Sequence, residues 1–261
     1  MKFLIKLAAI LFLAAPVYDQ QTPPVPDWAL PGSPTHKQVP PPPGFHRPTT
    51  TYEKPIGIFH SQSDIGTAVV PGSATFDPAA RQYTIHSAGY NIWYTRDEFR
   101  YLWNKVSGDG LLTLAADITF PDPNGYGDRK GVLVIRQDLD DDAKEIMVAQ
   151  HGAGLIHIAW RRDKNASLHD MGFRVSASDR PGAANPDISA PLLTKRIGIQ
   201  KRGDAVVLLV SLDGEPLHQW GPPINIHFEG PYYVGIGFCS HLPDKSDSAI
   251  FSNIEISNQI Y

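Results

Sequence analysis

The chain has 261 residues, with 23 lysines and arginines against 27 aspartates and glutamates, so its formal net charge is only −4. That balance excludes the basic footprint that nucleic-acid binding normally leaves. Cys239 is the only cysteine, which excludes an intrachain disulfide and a zinc site built from several cysteines.

Residues 1–17 read as a secretory signal peptide. Met1 to Lys6 carries two lysines, and Leu7 to Val17 is an apolar stretch too short to span a bilayer comfortably. Pro16 sits beside the small residues where cleavage would fall, so an uncleaved short anchor is the alternative. No later run is long and apolar enough to cross a membrane. The expected location is secreted or periplasmic, with no transmembrane segment after signal cleavage. Residues 18–55 form a proline-rich N-terminal arm, since half of the 24 prolines lie between Pro16 and Pro55. Such a chain favours polyproline II and lacks the donors a sheet needs. Trp28, Leu30, Phe45, His46 and Tyr52 interrupt the prolines, and large apolar groups suit an arm lying against a folded body better than an idle tether.

From Ile56 onward, short strands alternate with turn signals. The predicted strands are Ser73–Phe76, Gln82–Ser87, Phe99–Val106, Leu111–Phe120, Gly131–Gln137 and Glu145–Gln150. They continue with Leu155–Arg161, Lys195–Lys201, Ala205–Leu212, Ile224–Phe228, Tyr232–Cys239 and Ala249–Ile256. Each is apolar, β-branched or aromatic, with Gly, Pro, Asn or Asp at its bounds. Gly203 and Gly214 sit where hairpin turns need a positive φ. No stretch holds a 3.6-residue apolar repeat, so helices should be few. The expected fold class is all-β, a sandwich of two antiparallel sheets. A body of about two hundred residues buries roughly 70% of its unfolded surface, enough for a core without covalent help. Within it, Ala205 to Val210 is apolar on both faces and should be covered on both. Leu155–Arg161 separates Ile156, Ile158 and Trp160 from His157, Ala159 and Arg161, so its second face should look at solvent or a groove.

The motifs Gly72-Ser73-Ala74-Thr75-Phe76-Asp77-Pro78, Tyr83-Thr84-Ile85 and Asn91-Ile92-Trp93 open a pattern that resembles a bacterial concanavalin-A-like lectin/glucanase superfamily domain of unsettled function. That family is sometimes joined to TolB-like β-propellers. The resemblance continues through Phe99-Arg100-Tyr101, Ser107 to Gly110, Lys130 to Arg136, Tyr233 to His241 and Phe251 to Ile254. It implies a curved concanavalin-A-like jelly-roll β-sandwich over residues 56–257. The enzymatic members of the superfamily include laminarinase-like glucanases, which carry Glu-x-Asp-x-x-Glu on one strand, because retaining hydrolysis needs two carboxyls about 5–5.5 Å apart. No predicted strand of this chain has that spacing.

Four groups of residues are candidates for chemistry. Arg136, Gln137, His151, His157 and Arg161 could be brought together by sequential hairpins to hold a sugar or an anionic glycan. Arg136 ends an apolar strand, where a cation must find either a partner or a cleft; the competing reading is a buried anchor or a salt bridge. Tyr90, Trp93, Tyr94, Tyr101 and Trp103 could stack against sugar rings or simply pack the core. Asp128-Arg129-Lys130 and Cys239-Ser240-His241 lie at strand ends, where loops usually carry function. The acidic run Asp138 to Glu145 could suit calcium, but it lacks the central glycine of an EF-hand loop, and an acidic turn is the plainer reading. No cofactor is otherwise expected. Among these candidates, Trp93, Tyr94, Arg136, Gln137, His151, His157 and Arg161 are the expected ligand-binding set, with no catalytic residue assigned.

Export, the resemblance and the missing carboxylate pair together favour a non-catalytic carbohydrate-binding, lectin-like module of the bacterial envelope, with a glycan or polysaccharide as partner. Two alternatives stay open. One is a sugar-active enzyme, a hydrolase or lyase with a non-standard site around Arg136 and His151. The other is a protein-interaction module whose arm or sandwich edge docks an envelope protein.

Overall fold

The computed structural model describes residues 46–66, 69–174, 194, 196–211 and 214–259. The signal peptide and the arm before His46 lie outside the described residues. Seventeen strands are described: β1 Thr50–Tyr52, β2 Ser61–Ile65, β3 Ser73–Asp77, β4 Gln82–Ser87, β5 Ile92–Trp93 and β6 Arg96–Asp97. They go on with β7 Phe99–Val106, β8 Leu111–Thr119, β9 Lys130–Arg136, β10 Glu145–His151, β11 Leu155–Arg161 and β12 His169–Arg174. The last are β13 Arg196–Arg202, β14 Ala205–Ser211, β15 His218–Asn225, β16 Tyr232–Cys239 and β17 Asp247–Gln259.

Two antiparallel sheets face each other. One runs β1-β2-β7-β16-β9-β10-β11-β12 and the other β15-β14-β13-β8-β17-β4-β3; β5 and β6 form a separate small hairpin. The interior between the sheets is filled by alternate residues of both, such as Leu133 and Ile135 of β9, Ile146 and Val148 of β10, Ile197 and Ile199 of β13, and Ile85 of β4. Period-two alternation sends the residues between them, Val132, Val134, Met147 and Ala149, to the outer face of the eight-stranded sheet, where they join a second apolar cluster.

The strands follow their residues closely. Gly203 takes φ 55° in the β13–β14 hairpin and Gly214 takes φ 84°, conformations in which a side chain is strained. Gly235 on β16 allows a different economy of space: a Cβ there would stand 1.9 Å from the Leu102 carbonyl oxygen of β7. Two expectations change. The apolar strands buried along their whole length are β9 and β10, whereas β14 lies beside the edge strand β15 and leaves Val207 half-buried. The strand expected at Ile224–Phe228 is instead His218–Asn225, running through Pro222 and Pro223. An edge strand tolerates those prolines because one side of its ladder needs no donors. β1 adds Thr50 to Tyr52 to the sheet edge against β2.

Candidate functional site

Residues 88–98, between β4 and β7, fold over the outer face of the eight-stranded sheet. Ile92 of this segment is fully buried and joins Val132, Val134, Met147, Ala149, Ala159 and Leu168 in the outer apolar cluster. The segment is bonded to its surroundings by Asp97 N to Asp141 O at 2.7 Å and Leu168 N to Tyr94 O at 2.8 Å. Lys130 Nζ clips it to the sheet, donating to Asn91 Oδ1 at 2.6 Å and to Ile92 O at 3.2 Å. The face of β11 that carries His157, Ala159 and Arg161, expected to look outward, is therefore covered: all three are buried.

At one end of this covered face the sheet opens into a cleft of about 220 Å³. Register builds it. Lys130 starts β9 directly opposite His151, the last residue of β10, while His157 of β11 lies opposite Ala149. β12 adds Asp170, Leu155 begins β11, Trp93 comes from the covering segment, and Asp128 and His241 come from loops. The Trp93 and His157 rings stack at 5.5 Å with 11° between their planes, and His151 meets His157 edge-on at 4.8 Å. Lys130 Nζ stands 4.7 Å from the Trp93 ring centroid, a cation–π distance. Tyr126 packs against His241 with ring centroids 5.4 Å apart.

Burial governs the charges here. It pushes the Lys130 ammonium down to about 8, with Cys239 and Asp128 pulling the other way. Burial, with the Lys130 charge adding to it, holds His157 well below the usual imidazole range and His241 down at about 3. Contact with His151, whose Nδ1 lies 3.8 Å from Oδ1, keeps Asp128 below the ordinary carboxylate range. At neutral pH the cleft thus offers an ammonium, two aspartates and uncharged imidazoles at His157 and His241. The Nε2 atom of His157 is buried and has no hydrogen-bond partner. Buried polar atoms are rarely left so.

The opposite end of the same face is closed by ions. Asp97 of β6 receives Arg136 Nη1 at 2.7 Å and a two-pronged contact from Arg161, Nη1 at 2.8 Å and Nη2 at 2.9 Å. Arg136 also bonds Glu145, its cross-strand neighbour. Burial would raise the Asp97 carboxyl, but Arg161 and Arg136 outweigh it and hold it low. Burial wins at Glu145, which rises to about 7. The remaining guanidinium donors reach the carbonyls of Asp140, Ala143 and Ala166.

Of the residues singled out from sequence, Trp93, His151 and His157 meet in the cleft, and Arg136 and Arg161 do not. Both arginines have 0% exposure and face carboxylates, the buried-anchor alternative. Gln137 fixes the loop before β16, donating to Glu229 O at 2.7 Å and accepting from Glu229 N at 2.8 Å. Tyr94 adopts φ 49° at the tip of the β5–β6 hairpin, its carbonyl taking Leu168 N and Arg161 Nη2. Lys130, Asp128 and His241 belong to the strand-end triplets already noted. Asp170 had no signal, because His169–Arg174 does not read as a strand.

The acidic loop is neutralised by side chains. Lys164 binds Asp140 and stands within 3.4 Å of Asp138 and 3.7 Å of Asp142. His46, Asp141 and Asp142 are close enough to share a cation, with ligand atoms within 4.8 Å of one another. Yet Arg96 Nη2 donates to His46 Nε2 at 2.9 Å, so the proton sits on Nδ1, which points at Asp141 Oδ1, 3.0 Å away. In that tautomer the one ring lone pair, on Nε2, is already taken by Arg96. These residues tie the end of the arm to the loop.

The fold is a jelly-roll β-sandwich of two antiparallel sheets. A Saccharomyces cerevisiae protein described as functionally unknown superposes with a TM-score of 0.50 at 12% identity, over 74% of this chain and 95% of its own. A xylan β-1,4-xylosidase from Bacillus halodurans also gives 0.50 at 12% identity, over 85% of this chain and 41% of its own. The carbohydrate-binding module CBM66 from Bacillus subtilis gives 0.44 at 13% identity, over 82% and 97%. No protein-family model and no curated protein matches the chain.

Proposed function

We propose that this chain is an exported, non-catalytic carbohydrate-binding protein of the bacterial envelope and that the cleft beside Trp93 is its site. One observation carries the reading: an indole, three imidazoles, an ammonium and two carboxylates converge on one small opening. Sugars present C–H faces that suit an aromatic ring and hydroxyls that both donate and accept. Neutral imidazoles do both as well. Trp93, His151 and His157 are assigned to the ligand together with Lys130, Asp128, Asp170 and His241, while Arg136, Arg161, Gln137 and Tyr94 are assigned to the frame. A glycosidase acid needs a raised carboxyl beside the sugar. The carboxyls raised to about 7, Glu98 and Glu145, line no part of the cleft, and Asp128 within it is held low. Export rests on the charge and hydropathy pattern of residues 1–17.

Calorimetry and glycan-array binding with the full chain test the site. Binding to at least one plant or cell-wall glycan is expected, reduced tenfold or more by Trp93→Ala while circular dichroism shows the sandwich still folded. A panel with no binder would overturn the reading. A second reading, a sugar-active enzyme, is favoured by the perturbed Lys130 ammonium beside the Asp128–His151 pair. Product release from an oligosaccharide library, abolished in His151→Ala, would select it.

A further inference from the structure

We propose that the cleft takes a single neutral sugar residue at the end of a glycan chain, and that the covering segment bars chains from lying along the sheet. The inference rests on the carbohydrate-binding reading and deepens it.

The strands of this sheet would offer a long groove on their outer face, but the protein fills it. Val132, Val134, Met147, Ala149 and Ala159 have no exposure beneath Ile92 and Leu168. The far end is sealed by Arg136, Arg161, Asp97 and Glu145, whose side chains are equally inaccessible. A polysaccharide crossing the face would have to displace an apolar cluster and a buried ion network together. Among the described residues, the face opens at the end where Lys130 and His151 form the floor and Asp128 and Asp170 the rim. Its volume of about 220 Å³ lies below the roughly 300–1,000 Å³ of pockets that enclose drug-sized ligands. There is room for one ring, with the rest of a chain leading outward.

The lining also selects charge. Asp128, half-exposed, and Asp170 outnumber Lys130, and Lys130 is already bonded to Asn91 and Ile92. A sugar carboxylate would enter against two like charges. The unpartnered Nε2 of His157 is met equally well by a hydroxyl in either imidazole tautomer, whereas a carboxylate can only accept.

Calorimetry of the full chain against xylo-, gluco-, manno- and fructo-oligosaccharides of two to six units tests this. Affinity should change less than about threefold between two and six units of the sugar that binds. Random partial cleavage of the matching polysaccharide should raise the binding equivalents per gram in step with the new ends. The same oligosaccharide ending in a uronate should bind at least tenfold more weakly, and Asp128→Asn should narrow that gap. Affinity that climbs with every added unit, or equivalents that ignore cleavage, would overturn end-on binding. A uronate end that binds as well as the neutral one would overturn the charge selection. Either result leaves carbohydrate binding standing, while a protein that binds no sugar in the series or on the array sinks both.

Discussion

Without the Arg161 guanidinium, Asp97 would keep one buried cation where it now has two. Arg136 would then have to serve both Asp97 and Glu145, leaving two buried carboxyls on one guanidinium, so Arg161→Ala should lower the unfolding free energy by about 3–5 kcal/mol in urea titrations. A ligand-binding arginine would behave otherwise, losing affinity at little cost to stability. The same logic explains why the sequence could not place this residue. A cation ending an apolar strand demands compensation, but whether a carboxylate or a ligand supplies it depends on where Asp97 arrives, and that hairpin is remote in sequence. His151 and Lys130 were legible for a different reason. Both stand out at strand ends, but in separate groups; the register that sets Lys130 opposite His151, and Arg136 opposite Glu145 instead, cannot be read before the strand pairing is known.

At the level of elements, the clip between Lys130 and the covering segment can be removed by itself. Asn91→Ala removes the 2.6 Å acceptor of the buried Lys130 ammonium and leaves it Ile92 O at 3.2 Å. Amide hydrogen exchange of residues 90–98 should accelerate while the amides of β9 and β10 stay protected, since local opening draws on local contacts. The sheet is less forgiving where strands approach closely. Gly235→Ala would drive a Cβ into the β7 backbone at 1.9 Å and should destabilise the sandwich by on the order of 3 kcal/mol. The apolar strands were readable because alternation and turn residues mark them. β2, Ser61-Gln62-Ser63-Asp64-Ile65, was not, because it is polar and yet buried. Ser63 is satisfied by Thr51 and Trp103, Ser61 by the Tyr52 carbonyl and Asp64 by Arg100, all from neighbouring strands, and no local pattern announces such partners.

Across the whole molecule, buried groups around the covering segment set opposing trends with pH. Burial raises Glu98 and Glu145 from 4.5 to about 7. Between those values the folded state holds protons the unfolded chain has lost, so their contribution to stability falls as pH rises. His157 and His241 do the reverse: burial keeps them neutral while the unfolded chain binds protons below 6.5, so their contribution rises with pH from about 3, where His241 titrates, to 6.5. Lys130, lowered from 10.5 to about 8, adds a further rise between those values. Urea unfolding should therefore show stability climbing between pH 3 and 4.5, little slope from 4.5 to 6.5, and a second climb above 8. Glu98→Gln should convert the flat interval into a rising one.

The segment between β4 and β7 acts on this scale too, as a stopper in a trough. Replaced by a tight turn, it would expose a channel fit to grip a polymer anywhere along its length. With it in place, the proposed site would count termini. On the end-on reading, enzymes that cut a polysaccharide internally would multiply its points of attachment, and the protein would gather where a glycan is already being dismantled.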